Sequence, residues 1–274
     1  MSRWLRRLLL GSIMRELTLD ESKAIQIEML RSLDACCRAN GIEYSLAYGT
    51  LIGAVRHKGF IPWDDDIDVT MTRDNFEKFL RVYTHERYAL LKPMRRKRWE
   101  FFARIVDPRT KTRFKAFPVS PFPLWLTIFP VDNRPDNEQQ WLEMKAEVDH
   151  FANQARMKCG VFTRDWKRNI VKVLAKVAYL PVSLRKANAR ALNALTRYDT
   201  VPTAQKIVWV SYNRYETYPS SLFDAYVDLD FEQIRCRAMA GYDTYLRTAY
   251  GDYMQLPPAE QQVPSHEFTT YIKD

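Results

Sequence analysis

The sequence predicts an α+β fold in which helices flank a mixed β-sheet and a mostly helical part follows. Up to about residue 135, apolar runs of strand length alternate with segments of helical periodicity, and beyond it three helical patterns follow one another. A hydrophobic fraction of 46% in 274 residues also provides for a substantial core. We therefore divide the chain into a basic N-terminal extension at 1–16, a core at 17–135, and a helical, aromatic-rich part at 136–274 that packs on the core.

The elements of the core follow from capping signals and from apolar runs. Thr18 and Glu21 form a capping box that begins a helix, and Asn40-Gly41 closes it. Pro130 is expected to end a strand, because it has no N–H group to donate. The other core elements are predicted in this order: a strand at 44–48, a short helix at 51–56, a strand at 66–71, a helix capped by Thr72, strands at 101–106 and 124–129, and a loop at 132–137.

Helical periodicity predominates in the C-terminal part. Lys172 and Lys176 interrupt its most apolar stretch, which favours a packed amphipathic helix over a membrane span. The predicted elements are helices at 138–157, 165–180 and 184–198, a strand at 207–210, and a helix at 242–250 that Gly251 closes.

Four aspartates fall within five residues, at Asp64, Asp65, Asp66 and Asp68. Strand periodicity places Asp66 and Asp68 on one face, and Asp64 shares that face if the extended conformation reaches back to it. Crowded carboxylates repel one another unless a cation lies among them, and two carboxylates on one face can share a divalent cation. The cluster therefore predicts a site for Mg²⁺ or Mn²⁺, held by Asp66 and Asp68, at which Asp64 takes part in catalysis.

Several residues around this cluster suit phosphate. Gly49 and Thr50 precede a short helix, whose N-terminal N–H groups can bind phosphate oxygens. Arg56 offers a guanidinium fork to the same oxygens, and Arg104 is a charge in mid-strand that needs an anionic partner if it faces inward. Acidic metal ligands and phosphate contacts together indicate a phosphoryl-transfer site of the nucleotidyltransferase type.

Two long motifs, YGTLIGAVRH at 48–57 and IPWDDDID at 61–68, resemble the signature of the LicD family. This family comprises phosphocholine transferases of bacterial surface-glycan synthesis and is related to the fukutin-related proteins. The resemblance extends from Leu17 to His266 through shorter matches. These are IFPVD at 128–132, FE at 231–232, GYD at 241–243, YGDYM at 250–254 and LPP at 256–258.

The resemblance implies a nucleotidyltransferase-like fold, a divalent metal and a CDP-linked donor, with CDP-choline as the first expectation. A phospho-alcohol such as phosphocholine would pass to a hydroxyl of a cell-surface glycan precursor, lipid-linked or free, and CMP would leave. By match of motif, Asp66 and Asp68 would hold the metal, with Asp64 or Asp65 nearby. Gly49, Thr50 and Arg56 would hold the donor pyrophosphate.

The chain departs from the family pattern at Gln233, where the family usually carries glycine after Phe-Glu, and at the expected third carboxylate. The family pattern reads DIFPLD, whereas this sequence reads TIFPVD, so Thr127 stands where a third carboxylate is expected. A hydroxyl is a poor general base at neutral pH. Asp64, Asp132 or water would then take that role, or activity would be reduced.

The net charge of the chain limits the kinds of molecule that it is expected to bind. The chain carries 42 Lys and Arg residues against 33 Asp and Glu, a net charge of +9. Nucleic acid, an anionic membrane surface and phosphorylated substrates all fit this excess. Without metal, the acidic cluster would repel a nucleic-acid backbone, so we expect phosphorylated substrates and no nucleic acid.

We expect a cytoplasmic protein. No uninterrupted apolar run reaches the length of a spanning helix, and the four cysteines lack the spacing of a metal or redox motif, which favours free thiols in a reducing compartment. In the extension, Trp4 among Arg3, Arg6 and Arg7 suits either peripheral contact with the inner membrane surface or a frayed tail.

Three other functions stay open at this point. The same site geometry serves transfer of a nucleoside monophosphate, which would release pyrophosphate. Thr127 is compatible with a non-catalytic pseudoenzyme that binds without turnover. The basic charge is compatible with a nucleic-acid-binding protein.

Overall fold

A computed structural model of the chain describes residues 14–94, 99–114, 122–159, 166–211, 214–264, 266 and 268–273. Of the predicted N-terminal extension, residues 1–13 lie outside this part of the chain, and residues 14–16 form the first strand. The described helices are α1 (Leu19–Asn40), α2 (Tyr48–Arg56), α3 (Arg73–Val82), α4 (Glu138–Cys159), α5 (Trp166–Ala178), α6 (Leu184–Leu195) and α7 (Tyr242–Tyr250). The described strands are β1 (Met14–Glu16), β2 (Ser45–Leu46), β3 (Asp68–Thr72), β4 (Ala89–Leu91), β5 (Ala103–Val106), β6 (Thr110–Phe114), β7 (Trp125–Arg134), β8 (Gln205–Ser211), β9 (Arg214–Pro219), β10 (Tyr226–Phe231), β11 (Ile234–Met239) and β12 (Phe268–Lys273).

The central sheet is mixed and has the strand order β2-β3-β7-β5-β4, with β8 paired to β7 and β9 paired to β8. Strands β3 and β7 run parallel, and the other pairs in this sheet are antiparallel. The expected mixed sheet with flanking helices is therefore confirmed.

Helix α1 has the predicted boundaries and the predicted cap. The Thr18 side chain accepts a hydrogen bond from the Glu21 N–H, and Gly41 ends the helix in the left-handed conformation with a φ of 57°. Its buried face carries Met29, Leu30 and Leu33, which belong to the main core of the protein. A second core joins α4, α6 and β8 through residues such as Trp141, Met144, Ala191, Leu195 and Trp209.

Two smaller sheets lie outside the central one. Strand β12 pairs antiparallel with both β1 and β6, so the C-terminal segment returns to the N-terminal half of the chain. Strands β10 and β11 form a hairpin with a regular register from Tyr226 opposite Met239 to Phe231 opposite Ile234.

The prediction of a mostly helical C-terminal part is wrong beyond α6, because strands β8 to β12 follow it. The hairpin β10–β11 shows the reason. Its strands place Asp228 opposite Arg237 and Asp230 opposite Arg235, and both pairs form salt bridges. Cross-strand charge pairs stabilise a hairpin without the apolar alternation by which a strand is recognised in a sequence.

The predicted end of a strand at Pro130 is also wrong, because β7 continues to Arg134. The loop predicted at 132–137 is therefore confined to residues 135–137. The Thr127 N–H donates to the Ile67 carbonyl on the β3 side, so alternation directs the nitrogen of Pro130 to the opposite edge. There β5 pairs only as far as Ile128, and β8 begins to pair at Val131. Pro130 thus lies where the partner of β7 changes from β5 to β8, so the N–H group that proline lacks is needed least there.

The four cysteines are free thiols, and Cys37 and Cys236 are buried. Within the described ranges, no helix has both the length and the apolar character to cross a membrane.

Candidate active site

Asp64, Asp66 and Asp68 line one cleft of about 560 Å³. Strand β3 begins at Asp68 rather than at the predicted Asp66, but the Ile67 carbonyl already accepts the Thr127 N–H at 2.9 Å. All three aspartates line this cleft, as strand alternation predicts for Asp66 and Asp68, whereas Asp64 lies in a turn where its N–H donates to the Ile61 carbonyl.

Helix α2 abuts the loop at residues 57–67, called here the aspartate loop, so closely that two glycines are required. A Cβ atom on Gly49 would lie 2.5 Å from Oδ2 of Asp64, and one on Gly53 would lie 2.3 Å from the Gly59 carbonyl oxygen. The preceding Tyr48 takes a positive φ of 51°, so the chain turns sharply into the helix. Gly49 itself lines the cleft, which places the N-terminal turn of α2 beside the aspartates.

Three neighbouring strands place one residue each in a row across the sheet. Asp68 on β3 and Arg104 on β5 both lie opposite Thr127 on β7. Directly opposed residues project from the same face of a sheet, and these three line the cleft together. Position 127 is therefore directly adjacent to Asp68, where a carboxylate would complete the acidic site.

Asp64 and Asp65 are buried, Asp66 and Asp68 are half-buried, and the four carboxylates repel one another. Burial, with the charges of Asp66 and Asp65, raises the pKa of Asp64 to about 7. Burial also raises the pKa of Asp66 to about 6, with His266 opposing and Asp65 adding to the rise. The pKa of Asp68 is raised well above its ordinary value by burial and by Asp66. Carboxylate oxygens that are held together despite burial and mutual repulsion are typical of a site for a hard divalent cation.

His266 joins the site from the far end of the chain. Its Nδ1 lies 2.9 Å from Oδ1 of Asp65 and 3.8 Å from Oδ2 of Asp66, and its backbone N–H donates to Oδ2 of Asp65 at 3.2 Å. The hydrogen bond to Asp65 raises the pKa of His266. Ligand atoms of Asp65, Asp66 and His266 all lie within 4.8 Å of one another, so this triad is a second combination that suits a metal. No local spacing in the sequence indicates this contact.

Comparison with known proteins shows the family of this chain. Residues 41–150 match the family model described as "LicD/FKTN/FKRP, nucleotidyltransferase domain". The chain is 32% identical over 276 aligned positions to the lipopolysaccharide cholinephosphotransferase LicD of Haemophilus influenzae, and the alignment covers 94% of this chain and 100% of the relative. The chain belongs to the LicD family. It is accordingly a phosphotransferase of the LicD type.

Two shorter similarities involve uncharacterized proteins of the genus Rickettsia. The chain is 34% identical over 65 residues to one from Rickettsia typhi, covering 23% of this chain and 21% of that protein. It is 37% identical over 54 residues to one from Rickettsia prowazekii, covering 19% and 20% respectively. These stretches are too short to add to what the LicD relative shows.

Arg104 faces the cleft of this LicD-family chain. Its guanidinium lies 3.5 Å from a carboxylate oxygen of Glu100 and 4.6 Å from the ring centroid of Phe102. The sequence left open whether Arg104 faces inward. It does, with Glu100 as its acidic partner and the ring of Phe102 beside its guanidinium. Trp63 and Trp125 line the same cleft.

The structure places Thr50 and Arg56 away from the cleft lining. The Thr50 hydroxyl accepts the Asp68 N–H at 3.0 Å, so this buried residue positions the aspartate from behind. Arg56 lines a neighbouring cavity, where its Nη1 donates to the carbonyls of Tyr253 and Gln255. The structure therefore does not bring Arg56 to the cleft with the aspartates, and its phosphate contact stays a prediction.

Asp132, which the sequence left open as a substitute base, is engaged elsewhere. Its carboxylate oxygens accept from Nε and Nη2 of Arg73 at 2.6 and 2.9 Å, and the pair is buried. Asp132 lies five residues beyond Thr127 on β7 and is not among the residues that line the cleft. Its function in the structure is the ion pair that ties β7 to α3.

Proposed function

We propose that this chain transfers phosphocholine from CDP-choline to a hydroxyl of a cell-surface glycan, such as the saccharide of lipopolysaccharide, and releases CMP. One observation carries the proposal. Asp64, Asp66 and Asp68 share a cleft with Arg104 in a chain that aligns over 94% of its length with a lipopolysaccharide cholinephosphotransferase. The finer choice of CDP-choline as donor rests on the LicD-type motif around these aspartates.

We further propose that the site takes Mg²⁺ or Mn²⁺. The residues present fit such an ion, because the carboxylates of Asp66 and Asp68 face one cleft and their raised pKa values reflect burial and mutual repulsion. Asp65 and His266 lie close enough to Asp66 to offer it further ligand atoms, and an imidazole ligand would favour Mn²⁺ over Mg²⁺, which prefers oxygen donors. When bound, a divalent cation neutralises the charge of the phosphate oxygens and orients the phosphorus for in-line attack.

The chain's own residues would bind and orient the donor. Backbone N–H groups at the start of α2, beside Gly49, offer donors to phosphate oxygens. Arg104 adds a positive charge from the floor of the cleft. The aromatic rings of Trp63 and Trp125 line the same space and can attract a quaternary ammonium group through cation–π interactions.

The transfer itself forms one phosphorus–oxygen bond and breaks another. The acceptor hydroxyl oxygen attacks the phosphorus that bears the choline, and the bond to the CMP oxygen breaks. Asp64 takes the hydroxyl proton, because its carboxylate lines the cleft and does not belong to the proposed metal pair. Thr127 hydrogen-bonds to the Asp68 carboxylate and so helps to position it.

Release of CMP tests this function. The purified chain is incubated with CDP-choline, divalent metal and lipopolysaccharide, and CMP is measured by ion-exchange chromatography. We expect Asp66→Asn and Asp68→Asn to abolish release, whereas Asp74→Asn, a change at an exposed aspartate on α3, leaves it unchanged. Near-normal CMP release by either cleft variant would refute the assignment of the aspartates.

Thr127 favours one alternative, a binding protein without turnover. That function predicts that CDP-choline binds but no CMP appears under any metal condition. Transfer of a nucleoside monophosphate is separated from both by its product, since it releases pyrophosphate.

A further inference from the structure

A second cavity, of about 440 Å³, lies beside the cleft and is called here the side cavity. It is formed by α2, the aspartate loop and the segment that follows α7, with Arg56, Trp63, Tyr250 and Asp252 among its lining. Nothing in the reaction described above uses it. A transferase needs room for two substrates, and the cleft with its aspartates accounts for one of them.

The two cavities share a wall. Ile52, Ile61, Trp63 and Tyr250 line both of them. Trp63 directly precedes Asp64, so a molecule in the side cavity contacts the residue next to the proposed base. In-line transfer requires the attacking and leaving oxygens to lie on opposite sides of the phosphorus, which a second substrate entering from an adjoining cavity can satisfy.

The lining of the side cavity is amphipathic. Trp63, Tyr250 and Tyr253 supply aromatic surface. Asp252 and Gln255 supply polar groups, and within the described ranges their side chains have no hydrogen-bond partner. A carboxylate accepts hydrogen bonds, and a carboxamide both donates and accepts them. A sugar matches this combination, because it presents C–H groups on one face and hydroxyls around its rim.

Arg56 stabilises this cavity rather than offering an anion site. Its Nη1 donates to the carbonyls of Tyr253 and Gln255, so the guanidinium holds the segment that forms the wall. The Asp252 carboxylate in the same cavity opposes a second anion. A neutral, hydroxyl-rich ligand therefore suits the side cavity better than the diphosphate of the donor.

From these observations we propose that the side cavity is the acceptor subsite, where the sugar that receives the phosphate group binds. This inference rests on the proposed function, since it assigns the second substrate of that reaction. Asp252 and Gln255 bind sugar hydroxyls, Tyr250 packs against the sugar ring, and Arg56 is a positioning residue that keeps the 253–255 segment in place.

Separate Michaelis constants for the two substrates test the proposal. The variants are Asp252→Asn and Gln255→Ala, with Glu260→Gln as a matched control at an exposed position of the same segment that does not line the cavity. With delipidated lipopolysaccharide oligosaccharide as acceptor, we expect each cavity variant to raise the acceptor KM about tenfold. Asp252→Asn replaces a charge-assisted hydrogen bond with a weaker neutral one, Gln255→Ala removes a hydrogen bond, and each change is worth about that factor. The KM for CDP-choline stays within about twofold of the natural value.

A rise in the KM for CDP-choline instead would assign the side cavity to the donor, and unchanged constants for both substrates would also overturn the proposal. If the natural chain releases no CMP at all, the proposed function fails, but the subsite is still tested. Saturation-transfer NMR of the same oligosaccharide then reports its binding, which the proposal requires to be weakened in Asp252→Asn and kept in Glu260→Gln.

Discussion

Removal of the Asp68 charge should stabilise the metal-free protein while ending catalysis. Asp68 and Asp66 are two residues apart on extended chain, which corresponds to about 6 to 7 Å. Two like charges at that distance repel by about 2.5 kcal/mol at an effective dielectric constant of about 20. Asparagine keeps an oxygen that can accept from Thr127, and the backbone N–H of residue 68 still donates to Thr50. Asp68→Asn therefore removes repulsion and keeps the local hydrogen bonds.

Denaturant unfolding with a chelator present measures the effect. We expect the free energy of unfolding of Asp68→Asn to exceed that of the natural chain by about 2 kcal/mol, equivalent to about 5 °C in Tm for a chain of this size. Mg²⁺ or Mn²⁺ should then stabilise the natural chain and not the variant, since ligand binding to the folded state raises its stability. Asp74→Asn serves as the control that changes a surface charge alone. A variant less stable than the natural chain in chelator would show that Asp68 is a structural partner of Arg104, and the reasoning would fail.

Two further predictions concern a carboxylate introduced on β7 and the carboxyl group of Asp199, which accepts a hydrogen bond from the Asn133 N–H on β7. Thr127→Asp adds a carboxylate opposite Asp68, so it should lower the free energy of unfolding of the metal-free protein by about 2 to 3 kcal/mol. The same variant should bind a divalent metal more tightly in calorimetry. Weaker metal binding would contradict the assigned geometry. Asp199→Asn changes a carboxyl group whose pKa is raised from 3.8 to about 7 by burial and by the neighbouring Asp132. The folded carboxyl keeps its proton up to about pH 7 while the unfolded one loses it near pH 4, so the stability of the natural chain falls as pH rises through this window. The variant lacks this loss and should gain up to about 4 kcal/mol relative to the natural chain between pH 4 and pH 7, and a constant difference in urea unfolding across that range would refute the raised pKa.

Local features of the site were predictable from the sequence because short-range geometry determines them. The alternation of a strand places Asp66 and Asp68 on one side, and the structure has both in one cleft, together with Asp64. The capping box at Thr18 and Glu21 likewise depends only on residues three apart, and both of its hydrogen bonds are present.

Features that depend on distant parts of the chain were not predictable from these patterns. His266 reaches Asp65 because β12 pairs with both β1 and β6, and no sequence period encodes such pairing. The opposition of Asp68 and Thr127 depends on the register of two parallel strands. Here the resemblance to the LicD family supplied the prediction that periodicity could not.

The position of Arg56 shows that residue type alone does not determine which groups a side chain contacts. A guanidinium suits phosphate, and proximity in sequence to the aspartates suggested such a contact. The rotation of α2 instead directs Arg56 to the side cavity, where main-chain carbonyls of residues 253 and 255 bind it. The partner of a long side chain is set by tertiary packing, which short motifs do not specify.

Phosphorus-31 NMR of the purified chain tests the central claim most directly. The sample contains CDP-choline, Mg²⁺ or Mn²⁺, and delipidated lipopolysaccharide oligosaccharide. Our account predicts that the diphosphate resonances disappear as CMP and a phosphodiester on the oligosaccharide appear in equal amounts. Inorganic pyrophosphate among the products, or a diphosphate signal that persists under every metal condition, would contradict it.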